Sequence, residues 1–389
     1  MRLWSVFRKT LQELSRDWLL LLLTLVFAPA FVYLYYLFFP GGSTAYTILV
    51  INRDVGSRVA SGEIPDAGKG AIEAISRVAY ANGNPLLRVK AVEDRAAAEA
   101  FLRNRDATAF ILIPQGFSAA IQDARHGVGV ERTSITFGGD LSNPYYVVGA
   151  LLATSAVDAY IQEASGIKPF VQYVEEPLGA SAARTEFETY VPGIFVFAVI
   201  LMVFLAAMTV AHEVESGTIR RLQITKMSSF EFLGGVSAAL ALVGMLSVVL
   251  TFLTALALGF RSQGPLWVAV LVGGVTSLSI IGVGMIIACF SRTVSQAFVI
   301  ANFPLGLFMF FTGAAFPVPR PTIFMIAGRS ISPYDILPPT HAVVALNKIL
   351  NLGAGLDEVT FELVALAILS LVYFWIGAWL FKRMHLKKK

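Results

Sequence analysis

Polar and apolar positions alternate along this chain in long blocks. Six stretches, Trp18–Phe39, Tyr190–Ala211, Phe232–Phe260, Leu266–Phe290, Val294–Phe311 and Leu363–Phe381, contain no Asp, Glu, Lys or Arg. About 20 such residues in a helix cross the roughly 30 Å of hydrocarbon in a bilayer. The pattern therefore predicts six transmembrane helices, the first within residues 18–40. Its apolar run exceeds the roughly 7 to 15 residues of a signal-peptide core, so it reads as a retained anchor. Ahead of it, residues 1–17 place Leu3, Phe7, Leu11 and Leu14 at helical spacing beside Arg2, Arg8, Lys9 and Arg16. That is an amphipathic helix suited to an anionic membrane surface, or else a plain cytoplasmic extension of the first span.

Residues 41–188 change character. Apolar β-rich runs at Tyr46–Ile51, Ala107–Ile113 and Ser134–Phe137 alternate with alanine-rich helical stretches near Gly70–Tyr80, Glu93–Arg103, Phe117–Ala124 and Val147–Ser165. The alternation predicts an inserted α/β domain. Residues 189–389 hold the other five spans. Within them, residues 312–360 are too apolar for an ordinary loop yet broken by Pro317, Pro319, Pro321, Pro333, Pro338 and Pro339. They fit a re-entrant or interfacial element, or a loop bearing one surface helix, His341–Leu350.

Basic residues near the span ends set the orientation. With the N-terminus inside, the cytoplasmic side holds Arg2, Arg8, Lys9, Arg16, Arg220, Arg221, Lys226, Arg292, Lys382, Arg383 and Lys387 to Lys389. The opposite side holds Arg261, Arg320, Arg329 and Lys348. Both termini are expected in the cytoplasm, and residues 41–188 on the opposite side of the membrane.

Composition agrees with a membrane class and removes several others. Of 389 residues, 56% are hydrophobic and 14% charged, against about 25% charged in a soluble domain. The pI of about 9.1 does not indicate nucleic acid, because the basic residues flank spans and are not interleaved with aromatics. The lone Cys289 excludes an internal disulfide and a cysteine metal cluster. His126, His341 and His385 lack ligand-spaced companions, and adjacent Glu175 and Glu176 precede Pro177 as a solvated linker. No catalytic, cofactor or metal site is read. No G-x-x-x-x-G-K-S/T loop occurs, since Gly68-Lys69 lacks its upstream glycine and its hydroxyl, so ATP has no recognisable phosphate cradle here. Spans free of charge also disfavour an ion-coupled carrier.

The longest polar interruption between spans on the cytoplasmic side is His212–Lys226, HEVESGTIRRLQITK. It reads as a short amphipathic helix along the inner face, its acidic end exposed to a soluble partner, or as a plain surface helix. Together with Leu112-Ile113-Pro114-Gln115-Gly116-Phe117, Ser291-Arg292-Thr293, Gly313 with Phe316-Pro317, and the turn Ile331–Pro339, this segment resembles the permease subunits of type-2 ATP-binding-cassette exporters. The branch it resembles is bacterial and carries a large domain between the first two spans, which implies a bacterial cytoplasmic membrane. Lys226-Met227 stands where members often have Pro, and Gly235 where a Lys often opens the third span.

The resemblance implies a coupling element, 212–229, that meets a cytoplasmic ATPase through Glu213, Glu215, Gly217, Thr218, Arg220, Arg221 and Leu222. It implies ATP and Mg on that partner, a second permease copy or paralogue, and a path lined by the second and fifth spans. Phe195, Phe197, Phe204, Phe303, Phe308 and Phe311 would then suit an amphiphilic or hydrophobic cargo, a drug-like molecule or a lipid. The rival reading is a membrane-anchored receptor or envelope-binding protein that moves nothing. Gly234/Ala238, Gly235/Ala239 and Gly284/Ala288 allow close helix approach, within one subunit or between two.

Overall fold

Successive residues of the first strand of the inserted unit, β1 (Tyr46–Asn52), bury in opposite directions. Ile48 and Val50 enter one apolar cluster, and Leu49 and Ile51 another, as the two-residue period of a strand requires. The structure is a computed structural model that describes residues 2–38, 45–56, 58–59, 62–63, 66–80, 83–127, 133–141, 143–167, 186–219, 224, 227–315, 318–326 and 329–386. It divides into two compact units, Gly41–Pro177 on the one hand and Met1–Pro40 with Leu178–Lys389 on the other.

In the inserted unit β1 is central. It pairs in parallel with β4 (Leu87–Ala91) and with β5 (Ala109–Ile113), while β6 (Thr136–Gly138) runs antiparallel on the edge of β5. A two-residue hairpin, β2 (Arg58–Val59) with β3 (Gly62–Glu63), lies outside this sheet. Helices α3 (Ala67–Ser76), α5 (Phe117–His126) and α6 (Pro144–Ser165) share the cluster of Ile48 and Val50, and α4 (Arg95–Arg103) supplies Ala98 to the other. Strand β4 and the hairpin were not legible in the sequence. β4 reads Leu-Arg-Val-Lys-Ala, and its charges are those of a sheet edge.

The motif Ile113-Pro114-Gln115-Gly116-Phe117 turns β5 into α5. Phe117 is buried, and Ser118 behind it donates its N–H and its hydroxyl to Asp54, at 3.2 and 2.5 Å. Asp54 also accepts from Gly68 N–H at 3.1 Å, so one buried carboxylate occupies the N-termini of both α3 and α5. Open α/β sheets bind anions at this position. Here the chain's own side chain fills it.

The other unit is helical. It opens with α1 (Arg2–Arg16) and α2 (Trp18–Phe38), then α7 (Glu186–Ile200) and α8 (Met202–Glu215), which form one interrupted span. α9 (Ser229–Ala257), α10 (Leu266–Phe290), α11 (Val294–Phe311) and, after residue 312, α12 (Pro338–Leu352) and α13 (Thr360–Phe381) complete it. Among the described residues six helices are long and apolar enough to cross a membrane. Three begin or end on charge that the sequence reading left outside. The second span runs from Phe187 to Glu215, α9 includes Glu231, and α13 includes Glu362. Capping explains α9: Ser228 and Glu231 bond each other's backbone N–H groups, so the helix starts before its apolar run.

Small residues set the helix spacing. A Cβ on Gly284 would lie 2.6 Å from Ala206 Cβ, so glycine lets α10 lie against α8. A Cβ on Gly235 would lie 2.8 Å from the Leu3 carbonyl oxygen, which makes α9 the seat of α1. The amphipathic helix accordingly turns Val6, Thr10 and Leu14 to the protein, whereas the expected apolar stripe was Leu3, Phe7, Leu11 and Leu14. Leu3 and Trp4 remain exposed.

Residues 312–360 hold a short antiparallel pair, β7 (Phe324–Ile326) with β8 (Arg329–Ile331), and the helix α12. α12 is no surface helix. Eleven of its residues are buried, and it packs on α7, α10 and α13. The proline-rich turn ahead of it is bonded throughout: His341 Nε2–H donates to the Asp335 carbonyl at 2.9 Å, Arg320 lies 3.7 Å from the Asp335 carboxylate, and Tyr373 donates to the Ile336 carbonyl at 2.8 Å. Burial holds the His341 pKa below its usual value, more strongly than the Asp335 carbonyl raises it. Unfolded histidine takes a proton near pH 6.5, the folded group only at lower pH, so the unfolded state binds more protons as pH falls below about 6.5. Thermal unfolding of the wild type is expected to shift downward from pH 7.5 to 5.5, and His341→Gln to flatten that slope. An equal slope in both would remove His341 as its source.

Candidate functional site

A helix C-terminus is a poor place for a buried carboxylate, because the backbone dipole is negative there. α8 nevertheless carries Glu213 in its last turn, 3% exposed. The compensation comes from α1. Lys9 Nζ forms a short ion pair with Glu213 Oε1, joining residues 204 positions apart, and also lies 3.3 Å from Glu13.

Two residues on, Glu215 Oε2 accepts the N–H of Val294 at 2.7 Å. Val294 opens α11, so this carboxylate sits on the positive end of a helix. Thr293 caps the same helix by accepting from Gln296 N–H at 3.2 Å, and Ser291 is buried with its hydroxyl on the Ile287 carbonyl at 3.0 Å. The Ser291-Arg292-Thr293 turn and the acidic turn of α8 are thus joined at one point. Gly217 stops the helix with a left-handed φ of 73°, and Thr218 Oγ1 lies 3.0 Å from Ser216 Oγ.

The expectation of an acidic end open to a partner is corrected at Glu213 alone, since Glu215 stays exposed; Thr218 and Ile219 are helical again, and the rest of the expected amphipathic helix falls outside the described residues. His212 to Glu215 continue α8, Glu213 is turned inward, and Glu215 is engaged by α11, because two neighbouring elements supply donors that a solvated helix would lack. Arg220, Arg221 and Leu222 lie outside the described residues. Lys9, Thr10 and Val294 were not anticipated. The one local signal was Thr10, a polar residue within the helical stripe Val6, Thr10, Leu14.

The six phenylalanines do not share one surface. Phe195 is buried with its ring centroid 3.8 Å from that of Phe252 on α9, and Phe197 turns to Phe27 and Phe31 on α2. Phe204 packs on Phe298 of α11, Phe308 is buried, and Phe311 lies beside Tyr334. Phe303 is 73% exposed.

Six helices long and apolar enough to cross a bilayer, with an α/β insertion after the first, make this a multi-pass membrane protein. The chain belongs to the ABC-2 family transporter proteins, whose family model matches residues 16–379. It is thus a membrane permease component of the kind that works with an ATPase subunit. No curated protein and no solved structure matches it.

Removing Lys9 leaves the Glu213 charge uncompensated. Lys9→Met is expected to lower stability by about 1–3 kcal/mol, below the cost for a fully buried pair because the Lys9 side chain is 40% exposed. Lys9→Met with Glu213→Gln should recover most of the loss. Denaturation of purified protein in detergent checks this, and additive losses in the double variant would show that the two residues act independently.

Proposed function

We propose that this chain is the transmembrane subunit of an ATP-driven exporter. It carries an amphiphilic or hydrophobic compound, a drug-like molecule or a lipid, out of the cytoplasm or inner leaflet, while a separate cytoplasmic ATPase binds ATP and Mg. The supporting observation is the junction in which Glu213 bonds α1 and Glu215 bonds α11. A push from the ATPase on residues 212–229 then moves the second span, the amphipathic helix and the fifth span together. The basic flanks support cytoplasmic termini and an extracytoplasmic insertion.

A second copy covers the outer face of α11 in this reading. That face exposes Phe298, Val299 and Phe303 around Asn302, whose side-chain N–H donates to the Phe298 carbonyl at 2.9 Å. An amide in a lipid-facing position is unfavourable, and a partner helix relieves that cost. Of the six phenylalanines, Phe311, 40% exposed, is then the one left to meet cargo.

Co-purified with its cognate ATPase, the chain should show hydrolysis stimulated by cargo across a compound panel. Glu215→Ala is expected to reduce that stimulation several-fold with basal hydrolysis kept. Stimulation unchanged in Glu215→Ala and in Gly217→Pro would sink the coupling role of this turn. For the second copy, Phe303→Cys should form an oxidant-dependent disulfide dimer in membranes. Leu371→Cys, 71% exposed on α13, should not. The reverse pattern would place the contact elsewhere.

A further inference from the structure

Beside the last turn of α8 lies a cavity of about 200 Å³. Its walls include three carboxylates, Glu13, Asp17 and Glu213, the imidazole of His212, and three apolar side chains, Leu14, Met208 and Val294. Lys9 serves two of those carboxylates. Glu213 is nonetheless left incomplete: it is almost wholly buried, and its Oε2 has no hydrogen-bond partner. Buried carboxylate oxygens are ordinarily satisfied, because an unmade bond to a charged group costs more than one to a neutral group. Glu213 lines the cavity with that acceptor vacant, which calls for a donor that arrives with a ligand.

The remaining walls define that ligand. Negative groups in excess favour a cation. Among the described residues no three His, Cys, Asp or Glu side chains converge at metal-binding spacing, so the cation must bring its own N–H donors. Leu14, Met208 and Val294 ask for hydrocarbon next to them. Asp17 directly precedes the first span and Val294 opens the fifth, so the site lies at the span ends, where an amphiphile keeps its charge out of the hydrocarbon.

We infer that this cavity binds an amphiphilic primary ammonium compound, its N–H donated to Glu213 Oε2 and its chain laid on Leu14, Met208 and Val294. The site would collect cationic cargo at the cytoplasmic rim. That purpose rests on the exporter reading, whereas binding itself needs no ATPase.

The test uses the full chain in phosphatidylcholine nanodiscs and equilibrium dialysis of radiolabelled n-hexylammonium at pH 7, with empty discs subtracted. Saturable binding is expected, and hexanoate and hexanol should show none. Glu13→Gln and Asp17→Asn, both at exposed positions, should each weaken binding up to about fivefold, and Glu213→Gln should abolish it. Thermal unfolding of each variant verifies that it is folded. Should Glu213→Gln fail to fold, the Glu13→Gln/Asp17→Asn double variant decides: wild-type affinity there overturns the proposal. Equal binding of hexanol, or no saturable hexylammonium binding, also overturns it. Saturable binding without ATP-driven transport would sink the exporter reading and leave the site standing. Transport of another compound without such binding would do the opposite.

Discussion

A single buried carboxylate organises the charged end of the helical unit. Glu213 lies where the backbone dipole of α8 is least hospitable, and the chain answers with Lys9 from a helix that is otherwise held by apolar packing. Placement of α1 follows from that requirement as much as from its amphipathicity. The ammonium reaches Glu213 when Val6, Thr10 and Leu14 face the bundle, so the buried stripe and the ion pair select the same rotation. Gly235 completes the fit by letting the backbone of α1 approach α9 at Leu3.

Within the spans the governing constraint is different. Hydrocarbon offers no hydrogen bonds, so hydroxyls must be satisfied by protein. Thr251, Thr276 and Ser277 donate to carbonyls one turn back, at 2.6 to 2.8 Å. Ser279 and Ser370 meet across α10 and α13 at 2.6 Å, one of the few polar links in an otherwise apolar contact. Gly284 and Ala206 supply close approach between α10 and α8. Packing and short local bonds hold the bundle, and its buried ionic ties lie at helix ends, Lys9 with Glu213 where α8 stops and Lys348 with Glu362 where α13 begins.

This division explains what could be read from the sequence. The six spans were legible because bilayer thickness imposes a length and composition that no pairing can change, and the inserted α/β domain was legible where β1 and β5 are buried on both faces. Strand β4 was not, since an edge strand is permitted to carry Arg88 and Lys90. Nor was the surrounding of Glu213. Sequence placed the acidic pair in a polar interruption, and nothing local announces a lysine 204 positions away. The surroundings of the phenylalanines were not legible for a related reason: apolar identity marks a membrane helix, but which face meets protein depends on partners that a one-chain pattern leaves unspecified.

The junction also has a suitable energy scale for a moving part under the proposed coupling. Reversing a conformational balance from 1:99 to 99:1 takes about 5.5 kcal/mol. The Lys9–Glu213 pair is partly solvated through Lys9, and the Glu215 bond to Val294 N–H is a charge-assisted bond of about 1.5–3 kcal/mol. Together they supply a few kcal/mol, enough to favour one arrangement and little enough for nucleotide-driven closure to reverse. Links made of buried apolar surface would give no comparable on-and-off step, because their energy changes gradually with area. Two short, directional bonds break over about an ångström. A bundle that packs smoothly can therefore change state where these two bonds are made, with α1 and α11 released or held by the same turn of α8, while the Lys348–Glu362 pair keeps α12 on α13.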